Sequence, residues 1–328
     1  MRKVILDTDP GVDDAMALFF LTASPGLELI GITTVFGNAD VETTTRNARY
    51  LTQRFSIDAP VFKGAAAPLQ IARHAAPVHI HGENALGDID LSGASLAPLA
   101  ATPAHLAIVE LVRAHPHQVT LIAIGPLTNL SLALSTDPEI AELVAQVIVM
   151  GGAFGTHGRH GNVSPVAEAN IHNDPQAADH VFSAPWPVVI VGLDVTLQCV
   201  MDDAMAETLA RTAGARGEFI WRISRGYAEV YQARDGLAGC CLHDVAAVAY
   251  AIDPALFQTR LGPVRVVSRG PAIGQTLQRL GQETDPSNAW GLRPSQTVCI
   301  GVADKDLVRR FGEALASSGA STAADGAA

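Results

Sequence analysis

Apolar positions along this chain follow two alternating periods. Short continuous runs at 4–6, 27–35, 119–124, 144–150 and 187–193 read as buried strands, and the segments between them repeat apolar residues at helical spacing. The first run ends in Asp7 and Asp9, turns on Pro10-Gly11, and restarts as a helix that carries Asp13 and Asp14. A helix is expected over 41–54 and a short apolar piece at 59–62. Residues 64–104 are rich in loop signals, with Pro68, Pro77, Pro98 and Pro103. Further helices are expected over 104–114 and from Gly125-Pro126-Leu127-Thr128-Asn129 to about Asp137. This alternation predicts an α/β protein with an open, mainly parallel sheet flanked by helices. Residues 203–260 are mostly helical and are expected to form a smaller lobe over the strand ends. Late strands follow at 264–267 and 297–302, and a closing helix at 304–315. Residues 1–316 read as one domain, and the small, polar 317–328 as a disordered tail.

Strand ends matter because open α/β sheets bind ligands at their carboxyl edge. Asp7, Asp9, Asn38, Ile124 and Met150-Gly151-Gly152 all fall at such ends, so they are expected to converge.

Composition narrows the ligand. The chain has 328 residues, 48% of them apolar, only 17% charged, and a net charge of −11. Such a surface repels nucleic acid and anionic membranes and does not steer polyanions. A small neutral substrate fits better. The start, with no apolar leader, reads as lacking a signal peptide, and no apolar run approaches the roughly 20 residues of a membrane span. Cys199, Cys240, Cys241 and Cys299 have neither metal nor redox spacing, which points to a reducing, cytoplasmic setting.

Four carboxylates within eight residues make a poor surface turn, because like charges this close raise one another's pKa unless a cation compensates them. Helix capping by Asp9 with Asp13 and Asp14 at the positive helix end would explain part of the pattern, but not four acids. In Gly161-Asn162-Val163-Ser164-Pro165-Val166-Ala167-Glu168-Ala169-Asn170, two carboxamides and a carboxylate suit the hydroxyls of a polyol, or else cap a helix. His243-Asp244 reads either as a helix start with a buried histidine, or as a further ligand beside a titratable group.

Together the motif Asp7-Thr8-Asp9-Pro10-Gly11-Val12-Asp13-Asp14-Ala15, Gly125-Pro126-Leu127-Thr128-Asn129, the 161–170 block and His243-Asp244 resemble the inosine–uridine-preferring nucleoside hydrolase family, in the right order from residue 1 to about 315. The resemblance implies a Rossmann-like fold and cleavage of the N-glycosidic bond of ribonucleosides through an oxocarbenium-like transition state. It implies a Ca²⁺ ion held by Asp9, Asp14, Asp244 and the Ile124 carbonyl, with Asp7 close behind. Asp9 would also be the general base toward a metal-held water, with Asp13 the alternative base. Asp13, Asn38, Asn162, Glu168 and Asn170 would bind the ribose. His243 would protonate the leaving base, and His81 and Tyr231 would contact it. The partner is a small ribonucleoside, and the assembly expected from the family is a homodimer or homotetramer. Two positions depart from the family pattern: Ala169 stands where phenylalanine is usual, and Ala85 where glycine is usual. Both bear on the pocket, and neither touches the metal or the base.

Other readings fit less well. An Asp-x-Asp phosphatase would need a downstream lysine, and Lys3, Lys63 and Lys305 lie in no suitable motif. A dinucleotide-binding oxidoreductase would need Gly-x-Gly-x-x-Gly after the first strand. A nucleoside sensor without turnover could discard a leaving-group acid, yet His243 is present.

Overall fold

The apolar runs assemble into a ten-stranded central sheet. The computed structural model describes residues 1–281, 290 and 292–325, with side chains up to residue 318. Its strands are β1 (Arg2–Thr8), β2 (Leu27–Thr34), β3 (Val61–Lys63), β4 (Leu99–Ala100), β5 (Val119–Ala123), β6 (Gln146–Met150), β7 (Val188–Val191), β8 (Val200–Met201), β9 (Cys240–Cys241), β10 (Phe257–Val266), β11 (Thr276–Gln278) and β12 (Ser295–Val302). The helices are α1 (Val12–Thr22), α2 (Val41–Arg54), α3 (Val78–His81), α4 (Ala104–Ala114), α5 (Thr128–Thr136), α6 (Ile140–Leu143), α7 (Ala169–Asn173), α8 (Pro175–Ser183), α9 (Leu193–Thr196), α10 (Asp203–Thr212), α11 (Gly214–Asp235), α12 (His243–Ile252) and α13 (Asp304–Asp325).

The sheet order is β11-β10-β12-β7-β6-β5-β1-β2-β3-β4, parallel from β12 to β4, with β10 and β11 antiparallel. The chain winds from β1 to one edge and returns through β5 toward the other. The order therefore reverses between β1 and β5, and a crevice opens at their carboxyl ends.

Both faces of the sheet are covered, which is why its strands read as unbroken apolar runs. Val4 and Leu6 belong to one core with Phe19, Val245 and Phe311, while Ile5 belongs to the other with Ile108, Leu130 and Val181. The same alternation divides Ile148 from Val147 and Val149, and Val189 from Ile190. Each fully buried Leu, Ile or Val side chain contributes about 1.5–3 kcal/mol, so truncating Ile122 to alanine is expected to cost about 2–5 kcal/mol.

Where the structure departs from the pattern, the reason is exposure. β10 begins at Phe257 rather than 264, because Gln258, Thr259 and Leu261 face solvent and interrupt the apolar run. β4, β11 and the β8–β9 pair are too short to carry a period. Within 203–260, α10 and α11 pack together, whereas α12 packs on α1 and β6 and belongs to the layer covering the sheet. The closing helix runs to Asp325, so 317–325 continue it in place of the expected disordered tail; 326–328 lie outside the described residues. All four cysteines are free and buried. Among the described residues, no helix is long and apolar enough to cross a membrane.

Candidate active site

At the crevice between β1 and β5 the polar groups are held by one another. Asp7, the last residue but one of β1, has Oδ1 accepting from Thr33 Oγ1 at 2.6 Å and Asn129 Nδ2 at 2.8 Å, while Oδ2 is buried with no partner. Asp9 lies past the end of β1; its Oδ2 accepts from the Asn38 N–H at 2.8 Å, and its Oδ1 is buried with no partner. Asp14 accepts from Thr8 Oγ1 at 2.5 Å, the Gly11 N–H at 2.9 Å and Asn38 Nδ2 at 3.0 Å. Asp14, not Asp9, thus caps α1, with Gly11 at the N-cap.

Two glycines make room for Asp9. A methyl added at Gly125 would sit 2.5 Å from Asp9 Oδ1, and one at Gly37 would sit 2.0 Å from Oδ2. The unpartnered oxygen therefore faces the segment that follows Ile124.

From the other side, α12 delivers its second residue, Asp244. Ligand atoms of Asp13, Asp14 and Asp244 lie within 4.8 Å of one another. Asp7, Asp9, Asp13, Asp14 and Asp244 are all buried, none more than 6% exposed. Among the described residues none of them pairs with a lysine or arginine. Burial pushes the Asp7 carboxyl up to about 7. Burial, and then the charge of Asp14, pushes Asp13 up to about 8. Asp9 and Asp244 are driven well above the usual carboxylate range by burial and then by the neighbouring aspartates.

The 161–170 block folds against this floor. Glu168 caps α7, its carboxylate accepting from the N–H groups of Asn170 at 2.9 Å, Gly152 at 2.9 Å and Ile171 at 3.1 Å. Asn170 Nδ2 donates to the carbonyls of Ile124 at 3.0 Å and Met150 at 3.1 Å. Asn162 Oδ1 accepts from the Ala169 N–H at 3.0 Å. The helix-capping reading of this block therefore holds for Glu168. Asn38 is likewise bound to the acids themselves. These side chains also line a cavity of about 570 Å³ together with Asp13, Ile124 and Asp244.

The cavity's other end is aromatic. Tyr231 Oη lies 2.7 Å from His243 Nε2, and His243 Nδ1 lies 2.6 Å from Thr196 Oγ1. The Tyr227 hydroxyl is 3.4 Å from that of Tyr231 and hydrogen-bonds Asp13. His81 Nδ1 accepts from the Val12 N–H at 3.3 Å, and its ring lies 5.4 Å from that of Tyr227. Burial foremost holds both His81 and His243 down at about 3, so both are neutral imidazoles. Arg234 lines the same end; its guanidinium lies 4.8 Å from the Tyr231 ring centroid and pairs with Asp235.

The structure thus gathers every sequence-predicted site residue around one cavity or its floor. It adds Asp13 to the candidate ligands and leaves Asp9 beside them. Thr8, Thr196, Tyr227 and Arg234 escaped the sequence reading. The available signal was the spacing Tyr227, Tyr231, Arg234, which repeats along one face of a helix.

Comparison with known proteins identifies the family. The model of the family described as inosine-uridine preferring nucleoside hydrolase matches residues 4–309. A uridine nucleosidase of Arabidopsis thaliana is 37% identical over 291 residues, covering 88% of this chain and 85% of its own. An inosine-uridine preferring nucleoside hydrolase of Leishmania major is 38% identical over 272 residues, covering 82% and 84%. A solved plant nucleoside hydrolase superposes with a TM-score of 0.91 at 35% identity, covering 96% of this chain and 99% of its own. With the match spanning nearly the whole chain, this protein belongs to the inosine-uridine preferring nucleoside hydrolase family.

Proposed function

We propose that this chain hydrolyses ribonucleosides at a Ca²⁺-loaded carboxylate floor, with Asp9 as general base and the Tyr231–His243 pair serving the leaving nucleobase. The reaction class follows from the family: the N-glycosidic bond is split to ribose and a free base. The observation that carries the finer reading is the floor itself, where three carboxylates face one another beside a buried, unpartnered Asp9 Oδ1.

A cation fits that floor. Its donors are all oxygen, no lysine or arginine among the described residues pairs with them, and the orphaned Asp9 Oδ1 is buried nearby, which favours a hard ion such as Ca²⁺. Asp9, Asp14, Asp244 and the Ile124 carbonyl would hold it, with Asp13 at its edge and Asp7 behind. The Ile124 carbonyl keeps one lone pair beyond the bond from Asn170. When bound, the ion supplies charge that acidifies water and anchors a vicinal diol.

The protein's own groups do the rest. Asp9 Oδ1 takes the proton of the attacking water, since Oδ2 is already engaged by Asn38. Asp13 accepts from a ribose hydroxyl, and Asn162, Glu168 and Asn170 line the sugar's other edge. Positive charge developing on the ring is stabilised by these acids. At the base end a neutral His243 cannot act as an imidazolium. If Thr196 donates to Nδ1, Nε2–H donates to the Tyr231 oxygen and frees the tyrosine O–H for the base. His81 and Tyr227 line the base beside them.

The test is a reducing-sugar assay over purine and pyrimidine ribonucleosides, with and without a chelator and in Asp9→Asn. Ribose release lost under chelation and in the mutant is expected; release indifferent to both would overturn the mechanism. With this reading we propose a cytoplasmic setting, in keeping with four free cysteines, and a homodimer or homotetramer. The exposed Leu261, Leu277 and Leu280 along the β10–β11 edge favour self-association, which light scattering would measure.

A further inference from the structure

One carboxylate sits where a helix end disfavours it. α11 closes on Asp235, before Gly236 takes a left-handed conformation at φ +68°. Free carbonyls gather at a helix C-terminus, so a cation is stabilised there and a carboxylate is not. The Asp235 side chain is nonetheless only 3% exposed, and two arginines hold it. Its Oδ1 lies 3.0 Å from Arg159 Nη2. Its Oδ2 accepts from Arg234 Nε at 2.8 Å and lies 2.7 Å from Arg234 Nη2.

The two arginines come from different elements. Arg159 extends from the segment after β6, whose start is pinned to α9: the N–H groups of Phe154 and Thr156 donate to the Asp194 carboxylate at 2.7 and 2.6 Å. Arg234 precedes Asp235 on α11, and its guanidinium lies 4.8 Å from the Tyr231 ring centroid. Among the described residues, Arg234 is also the only lysine or arginine that lines the cavity. A free arginine side chain samples many rotamers, and this pairing restricts them. Contacts thus run from Arg159 through Asp235 and Arg234 to Tyr231 and His243.

We propose that Asp235, anchored by Arg159, is a positioning residue that holds the Arg234 guanidinium at the base end of the cavity, where its charge favours departure of the nucleobase. The proposal rests on the hydrolase reading above and adds to it residues which that reading does not use. As the C1′–N bond breaks, its electron pair goes to the base, so negative charge builds there while positive charge builds on the ribose. The acids answer the second charge, and Arg234 answers the first. After burial, the charge of Arg234 is the next cause that keeps His243 neutral. Burial raises the Tyr231 hydroxyl above the usual tyrosine range, and Arg234 works against that rise, which improves the hydroxyl as a donor to the base. Stability alone is a weak reason for the arrangement, because buried ion pairs return little net stability.

A double-mutant cycle read on two substrates tests this: inosine, and a nitrophenyl riboside whose leaving group departs unaided. Asp235→Asn is expected to lower kcat on inosine about tenfold, with KM and the nitrophenyl rate changed by less than about threefold. Arg234→Ala should lose about tenfold to a hundredfold on inosine, and adding Asp235→Asn to it should lower the rate no further. Guanidinium ion at sub-denaturing concentration should restore part of the inosine rate to Arg234→Ala but not to the double variant, which lacks the carboxylate that seats it. Arg159→Ala should repeat the Asp235→Asn pattern in weaker form. Because substrates are compared within one variant, partial loss of folded protein does not imitate the effect. Additive losses in the cycle, equal loss on both substrates, or full inosine turnover in Arg234→Ala would overturn the positioning role alone. No cleavage of either substrate by the unaltered protein would overturn the hydrolase reading.

Discussion

The two ends of the cavity are built by different means. At the carboxylate end, backbone and side chains from distant parts of the chain lock one another: Asn38 reaches Asp14 from 24 residues away, and Asn129 reaches Asp7 from 122. At the base end, α3, α11 and α12 supply rings that meet mainly through their side chains, with His81 also held by the Val12 N–H. Tyr227 and Tyr231 come from a single face of α11, and His81 from the short α3. The lesson is a division of support. The floor is braced largely by backbone N–H and carboxamide donors, whereas the base end is braced mainly by one side chain on another.

The sharpest way to break this comparison is Asp9→Asn. It keeps the Asn38 contact but removes the base, so kcat should fall about 10³-fold, with thermal unfolding showing a retained fold. A loss below about tenfold would mean that the floor is structural. Next in size is His243→Ala, expected to lower kcat on inosine by about 10²-fold. A nitrophenyl riboside, whose leaving group needs no proton, should lose little. Equal loss on both substrates would move His243 from leaving-group chemistry to packing.

The third prediction sharpens the electrostatic side. In chelated protein, Asp7 at about 7 and Asp13 at about 8 lie above their unfolded values, so the fold holds protons that the unfolded chain has lost. Stability is then greatest at low pH and falls as pH rises through this window, by up to about 1.4 kcal/mol per pH unit for each such carboxyl. Calorimetry in chelator should show Tm falling between about pH 5 and 8, while the gain on adding Ca²⁺ grows with pH. A chelated Tm that climbs over this range would contradict the arrangement.

The smallest effect concerns the loop over the base end. Ala85 is fully buried at φ +63°, a conformation that costs a Cβ-bearing residue about 1–2 kcal/mol. Ala85→Gly relieves that strain against the added entropy of the unfolded chain, so a net gain of about 0.5–1 kcal/mol in a denaturant titration is expected. The neighbouring Gly87 also has positive φ, and a methyl there would sit 2.5 Å from the Ile223 carbonyl of α11. The loop is therefore seated directly on the lobe.

How far the sequence could be read follows the same division. The sheet and its buried strands were legible because coverage on both faces produces unbroken apolar runs. The acids of the floor were legible because their crowding has no comfortable structural explanation. Tyr227 was not, since an aromatic pair at helical spacing reads equally as core. Thr196 was invisible, because its value lies in a bond to His243 across 47 residues. That Asp14 rather than Asp9 caps α1 was not legible, since spacing alone does not say where a tight turn releases the helix. β10 was shortened because its solvent-facing half lacks an apolar run.

The contribution of α12 has a consequence for biosynthesis. Asp244 emerges from the ribosome roughly 230 residues after Asp14, a delay on the order of ten to fifty seconds at common translation rates. Until then the nascent chain carries a cluster of acids with neither its last carboxylate nor the helix that shields it. On the proposed reading the cation floor is completed only after that point, and a product truncated before Asp244 would lack one of its carboxylates.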